Sequence, residues 1–205
     1  MTSVEAVISV LLVILGILSV ETRNLKYSAY LLGIGGVLGG ILLLAFLHVV
    51  EGIAVLLVFG FVIPAMLIIA LKKLPNTETE PVSGATSLMV LALIAFSLFA
   101  AAGTLISGLT WYHQLAITMF IVGLYALLVK GNLVKFAVGL VLIDEGLHIC
   151  SAFSMAESMP FIVVVQSALC SLITIMVVGM ILYLAILTYQ KTGTLNSWSL
   201  RRLVG

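Results

Sequence analysis

The sequence predicts an all-α, polytopic membrane protein of about seven transmembrane helices, with its N-terminus outside and its C-terminus in the cytoplasm. Three observations lead there: an apolar composition, a succession of span-length apolar runs, and basic residues confined to alternate connections. The chain is 63% hydrophobic and 8% charged, with a mean hydropathy of +1.35. Soluble domains are about one-quarter charged, and a soluble core of this length has no room to hide so much apolar surface. The bilayer is therefore the expected solvent.

A helical span needs about 20 mostly apolar residues. Such runs occur near Val4–Val20, Tyr27–Val50, Gly52–Leu71, Ala85–Leu109, Leu115–Val129, Leu133–Phe153 and Pro160–Leu187. The first lacks the basic flank and small-residue cleavage site of a signal peptide, so it reads as a span. The second carries Gly33, Gly35, Gly36, Gly39 and Gly40, including two overlapping GxxxG pairs, a spacing that lets helices approach closely in lipid. In the third, Pro64 removes a helical hydrogen bond and crowds the carbonyl of Gly60, which predicts a kink.

The charges set the orientation. Arg23 and Lys26 follow the first run, Lys72 and Lys73 the third, and Lys130 and Lys135 the fifth. Lys191, Arg201 and Arg202 follow the seventh, and these are all nine Lys and Arg residues. The remaining connections hold His48, Glu51, His113 and Glu157 but no Lys or Arg. The positive-inside rule then places the basic connections in the cytoplasm.

The stretch LPNTETEPVSG, Leu74 to Gly84, is polar and contains two prolines, so it cannot continue a helix. It divides the chain into an N-terminal three-helix lobe (residues 1–74), a cytoplasmic linker (75–84) and a C-terminal four-helix lobe (85–205). No internal repeat is evident. A net charge of +1 offers no basic field for nucleic acid. Cys150 and Cys170 lack the spacing of a metal site and read as small core residues.

The residues that point to chemistry lie in the sixth run, GLVLIDEGLHICSAF, which contains Asp144, Glu145 and His148. At about 1.5 Å per residue, the two acids lie about 14 Å beyond Lys135, close to the bilayer midplane. An acid there costs about 2.5–3.5 kcal/mol on insertion scales, and intramembrane acids mark ion pathways. His148, four residues after Asp144 and three after Glu145, can approach either. The functional reading is a proton relay or cation-coordination point. The alternative is a polar clamp between helices, satisfied by Ser, Thr or Gln. Gln166, Ser167, Ser171 and Thr174 in the seventh run either line a wet path or bond a neighbouring helix. His48 and Glu51 form either an outer mouth for protons or part of a solvated loop, and Lys135 is a further candidate on the opposite side. His113, with Trp111 and Tyr112, fits an interfacial aromatic belt.

From the fifth run onward, Gly123-Leu124-Tyr125, Lys130-Gly131-Asn132-Leu133 and Gly139-Leu140 resemble the small complex I subunit known as chain 4L or NuoK. The matching subunit of multisubunit cation/proton antiporters is similar. Most of the chain resembles a longer relative, hydrogenase-4 component E. That likeness includes Pro64 ahead of Lys73-Leu74-Pro75, the segment Asp144-Glu145-Gly146-Leu147-His148, and the tail Thr192-Gly193-Thr194-Leu195-Asn196. The chain departs from the chain 4L pattern at Val141, where that family has an acid, and in the last span, where Ser171 and Thr174 stand near a second family carboxylate.

The resemblance implies a membrane-arm subunit of a hydrogenase-4-like or complex-I-like ion-pumping assembly in a bacterial or archaeal plasma membrane. Its partners would be large antiporter-like subunits and peripheral redox subunits. Iron–sulfur clusters and a metal or quinone site would belong to those partners, with no cofactor, metal or catalytic residue in this chain. Asp144, Glu145 and His148 would contribute to the ion pathway. The alternatives are a subunit of a cation/proton antiporter without a redox arm, and a purely structural bracing subunit.

Overall fold

The computed structural model describes residues 3–74, 111–155 and 160–195. The fourth apolar run, the linker, Glu157 and the end of the tail (Asn196, Arg201, Arg202) lie outside these. The described residues form six helical rods and no strand. These are α1 (Ser3–Glu21), α2 (Leu25–Ala45), α3 (Val49–Lys72), α4 (Trp111–Val129), α5 (Leu133–Met155) and α6 (Pro160–Thr192). Lipid offers backbone amides no partner, so an apolar chain there satisfies its own N–H and C=O groups within helices.

Four of these are long and apolar enough to cross a membrane: α2, α3, α4 and the Val164–Thr192 part of α6. The surface agrees with that environment. Leu11, Tyr30, Ile41, Phe61, Ile69, Phe120, Leu128, Leu172, Met176 and Met180 are all exposed. A soluble protein of this size rarely shows contiguous apolar patches beyond a few hundred Å².

Two asparagines start the helices that turn back into the bundle. Asn24 caps α2, its Oδ1 accepting from the Lys26 amide at 2.9 Å. Asn132 does the same for α5, accepting from the amides of Val134 at 2.8 Å and Lys135 at 3.4 Å. Each cap satisfies amides that a helix N-terminus otherwise leaves unpaired.

The α2–α3 corner comes slightly earlier than the apolar runs predict. α2 stops at Ala45 and α3 starts at Val49, so Val49 and Val50 belong to α3. The His48 amide donates to the Leu43 carbonyl at 3.0 Å and the Leu47 amide to Leu44 at 3.1 Å. This is a Schellman closure, and it places Leu47 in the left-handed region at φ 65°. A hydropathy window cannot see it, because the residue at the break is a leucine.

α3 is α-helical to Leu57, π-helical over Val58–Val62 and α-helical again from Ile63. The expected irregularity at Pro64 therefore takes the form of a widened turn just before the ring, with the Ile63 amide reaching back to the Val58 carbonyl. That opening relieves the crowding a proline imposes on the preceding turn.

Glycines set the close seams. A methyl on Gly36 would meet the backbone of Phe59, and one on Gly40 would lie 2.6 Å from Leu56 Cβ, so α2 and α3 approach at the backbone. Gly123 and Gly139 do the same for α4 and α5, where a methyl on Gly139 would lie 2.7 Å from the Gly123 carbonyl. α5 is the hub, packing against every other described helix.

The two ends of the bundle differ in chemistry. At one, Lys130 Nζ lies 2.8 Å from Glu21 Oε1, an ion pair by distance with the ammonium off the carboxylate's hydrogen-bonding direction, and the Leu133 amide donates to the Leu195 carbonyl. At the other, Phe46, His48, Trp111, Tyr112 and Phe153 form one aromatic cluster, with Phe153 stacked on Tyr112 at 4.9 Å between centroids. The expected aromatic belt is thus a packed group that closes one end of the bundle.

Candidate functional site

Asp144, Glu145 and His148 sit in the middle of α5, the hub helix. Residues four apart on a helix share a face, whereas adjacent residues point about 100° apart. Asp144 and His148 therefore face α6 together. Thr174 Oγ1 donates to Asp144 Oδ2 at 2.5 Å, and His148 Nε2 lies 3.7 Å from the same oxygen. Ser167 Oγ lies 3.4 Å from His148 Nδ1 and Ser171 Oγ 3.4 Å from Nε2. The spacing of Ser167, Ser171 and Thr174 is the i, i+4, i+7 stripe of one helix face. Together they give His148 and Asp144 a lining of hydroxyls in an otherwise apolar wall.

Phe59, in the π-helical turn of α3, closes the third side of His148, edge-on at 5.3 Å between ring centroids. Glu51 is the residue sequence reasoning placed least well. It is buried in the first turn of α3 rather than held in a solvated loop.

Glu145 faces the other way. It is 1% exposed, and its Oε1 lies 3.0 Å from the point where a methyl on Gly39 of α2 would stand. That oxygen has no hydrogen-bond partner in the protein. The two adjacent acids thus open onto different seams, Asp144 onto α5–α6 and Glu145 onto α2–α5.

The other candidates separate cleanly. Lys135 is only 2% exposed and lies at the basic end of α5, where Nζ donates to the Ser19 carbonyl at 2.7 Å and to Ser28 Oγ at 3.1 Å. The Ser28 hydroxyl in turn donates to the Ser19 carbonyl. Lys135 therefore ties α5 to the α1–α2 turn, about 14 Å along the axis from the acids. His48 belongs to the aromatic end, with its ring against Phe153. Gln166 is exposed on α6, away from the hydroxyl stripe. Ser167, by contrast, is buried against His148, and only its place on the stripe with Ser171 and Thr174 distinguishes it in the sequence. Cys150 and Cys170 are both free thiols and half-buried.

The arrangement offers a carboxylate beside an imidazole that has a hydroxyl at each nitrogen, with a second carboxylate on the adjoining seam, all within an apolar bundle. Such a set can exchange protons between acid, imidazole and hydroxyl over short distances. Among the described residues, no group of three or more His, Cys, Asp or Glu side chains is placed to hold a metal ion. Comparison with protein-family models, with curated proteins and with solved structures gives no match to this chain.

Proposed function

We propose that this chain is a membrane-arm subunit of a hydrogenase-4-like or complex-I-like redox-driven ion pump, contributing to the intramembrane proton or cation pathway. The observation that carries this reading is the continuous polar face on the α5–α6 seam: Thr174, Asp144, His148, Ser171 and Ser167 in mutual contact inside an apolar bundle. A mere fastening between two helices needs one donor and one acceptor. This seam instead holds groups that both give and take protons. The resemblance of the Asp144–His148 segment and the Thr192–Asn196 tail to hydrogenase-4 component E supports the redox-linked assembly. In this reading the chain has seven spans in a bacterial or archaeal plasma membrane, with the basic end of the bundle in the cytoplasm. Asp144 is the relay acid, His148 passes or tunes its proton, and an acid from a neighbouring subunit or water continues the path.

Two measurements test the reading. Mild-detergent purification through a C-terminal tag, with mass spectrometry of the intact assembly, should recover peripheral redox subunits together with antiporter-like membrane subunits. Antiporter-like subunits alone would move the assignment to a cation/proton antiporter, and a solitary chain would remove both assemblies. In the recovered complex, Asp144→Asn with Glu145→Gln should leave assembly intact and abolish ion uptake into vesicles. Unchanged uptake in an assembled complex would reduce the chain to a bracing role.

A further inference from the structure

The hub helix is open on one side. Around α5 its neighbours pack in order, α4 on α1, α1 on α2, α2 on α3 and α3 on α6, whereas α6 and α4 share no packed seam among the described residues. α5 shows the opening along its length. Phe136, Leu140, Ile143, Leu147, Cys150 and Ser154 follow the i, i+4, i+7, i+11, i+14, i+18 positions of one stripe. All six are exposed or half-buried, Leu147 at 55% exposure. Gly139 and Gly146, against α4, flank this stripe on one side, and Asp144 and His148, against α6, flank it on the other. The result is a groove the length of α5, walled by α4 and α6.

The chemistry of the groove favours protein over lipid as its occupant. Asp144, at its edge, keeps 14% of its side chain exposed, and the exposed hydroxyl of Ser154 lies on its floor towards the aromatic end. Acidic side chains within a membrane face protein or water rather than hydrocarbon.

The path of the chain then names the occupant. α3 starts beside His48 at the aromatic end, so Leu74, just past its last turn, lies at the basic end. α4 starts at Trp111, within the aromatic cluster. Residues 75–110 therefore pass from one end of the bundle to the other. They contain the apolar run Ala85–Leu109, which Thr110 alone separates from α4. Helices joined by so short a connection lie side by side. α4 has α1 on one flank, and its other flank is the groove. Residues 75–84 extend to about 33 Å, more than the roughly 20 Å that two helix spacings cover from α3 past α6.

We propose that the segment 85–109 of this chain occupies the groove between α4 and α6, against the open stripe of α5, and makes a ring of six helices around the hub. It runs parallel to α5, and its midpoint, Ser97, stands level with Asp144, the midpoint of α5. This placement rests on the seven-span part of the reading above and is independent of ion movement.

Disulfide cross-linking in the full chain in native membranes tests it. Cys150 and Cys170 are replaced by alanine, and Leu147→Cys is combined in turn with cysteine at each position from 97 to 104, the two turns at its level. After oxidation with copper–phenanthroline, the protein is denatured and free thiols are counted by the gel shift of a polyethylene-glycol maleimide. An intramolecular disulfide removes both labels, and reductant restores them. Both labels should be lost at positions recurring every three or four residues, the period of a helix lying along α5. Ile143→Cys, one turn back on the stripe, repeats the test against positions 93–100 should Leu147→Cys fail to insert. Leu11→Cys, on the exposed outer face of α1, should keep both labels against the same positions. Asp144→Cys with Thr174→Cys, in contact across α5–α6, confirms that the oxidant reaches the bundle. Cross-links to Leu11→Cys in place of Leu147→Cys put the segment on the far flank of α4 and overturn the proposal. Labels retained in every stripe pair while the Asp144–Thr174 pair loses them leave the groove to lipid or another subunit, and overturn it too. The ion-pump reading is decided separately, by the purified assembly and by ion uptake.

Discussion

Asp144 and Glu145 are neighbours in the chain, but their carboxyl groups belong to different helix seams: Asp144 accepts from Thr174 of α6, and Glu145 lies against Gly39 of α2. One hub helix therefore carries acid onto two sides of itself. A conservative change at either position acts on a different interface, which makes their contributions separable by mutation.

Among the described residues the Asp144–Thr174 bond is the shortest hydrogen bond across α5–α6, so its two ends should be energetically coupled. A double-mutant cycle of Asp144→Asn and Thr174→Val, followed by unfolding in bicelles, should give a coupling between the mean of about 0.6 and the maximum of about 1.7 kcal/mol found for interhelical hydrogen bonds in membranes. Zero coupling would mean that the two side chains do not hold each other in the membrane.

The ion pair at the basic end should respond asymmetrically. Both side chains of Lys130 and Glu21 are only 10% exposed. Lys130→Met leaves the Glu21 carboxylate enclosed without its cation, which should cost about 3 kcal/mol. Lys130→Met with Glu21→Gln should recover most of that loss, because neither partner then remains as an uncompensated charge. Both variants are read by thermal unfolding in detergent.

Among the glycines, position decides the outcome. Gly36→Ala drives a methyl into the Phe59 backbone and should destabilise by about 1–3 kcal/mol through overpacking. Gly35→Ala has room and should be neutral, or stabilise by up to about 1 kcal/mol through reduced backbone freedom. Comparing the two by thermal unfolding checks that α2 presents two different faces.

Leu47 holds a left-handed conformation and is 84% exposed. Such a backbone costs a residue with a Cβ about 1–2 kcal/mol, whereas glycine adopts it freely. Leu47→Gly should therefore raise stability by about 1 kcal/mol, read as an increase in unfolding temperature. An unchanged or lower temperature would show that the leucine side chain is anchored by something other than the turn.

Much of this architecture is legible in the sequence because lipid leaves the backbone few choices: apolar runs of span length become helices, and Asp144, His148, Ser171 and Thr174 fall on faces that helical spacing can match. What spacing could not assign was the partner of each face. Gly35/Gly39 and Gly36/Gly40 read as two overlapping copies of one packing motif, yet Gly36 and Gly40 press against α3 while Gly39 meets α5. The Asn24 and Asn132 caps were equally hidden, because capping geometry depends on where the next helix starts. The burial of Glu51 is hidden in the sequence for a related reason. A short polar gap between two apolar runs suggests a wet loop, but the Schellman closure at Leu43–His48 brings α3 in early and buries the acid in its first turn.

The 33 residues of α6 make a rod of about 50 Å at about 1.5 Å per residue. A hydrocarbon layer is about 30 Å deep, and even a tilt of about 40°, the upper end of what helices adopt, leaves about 38 Å along the membrane normal. One uninterrupted helix thus reaches past the apolar layer while also carrying Ser167, Ser171 and Thr174 against His148 and Asp144. A stiff rod transmits displacement along its length. Whatever grips the projecting end has mechanical purchase on the hydroxyls that hold the buried imidazole and its acid.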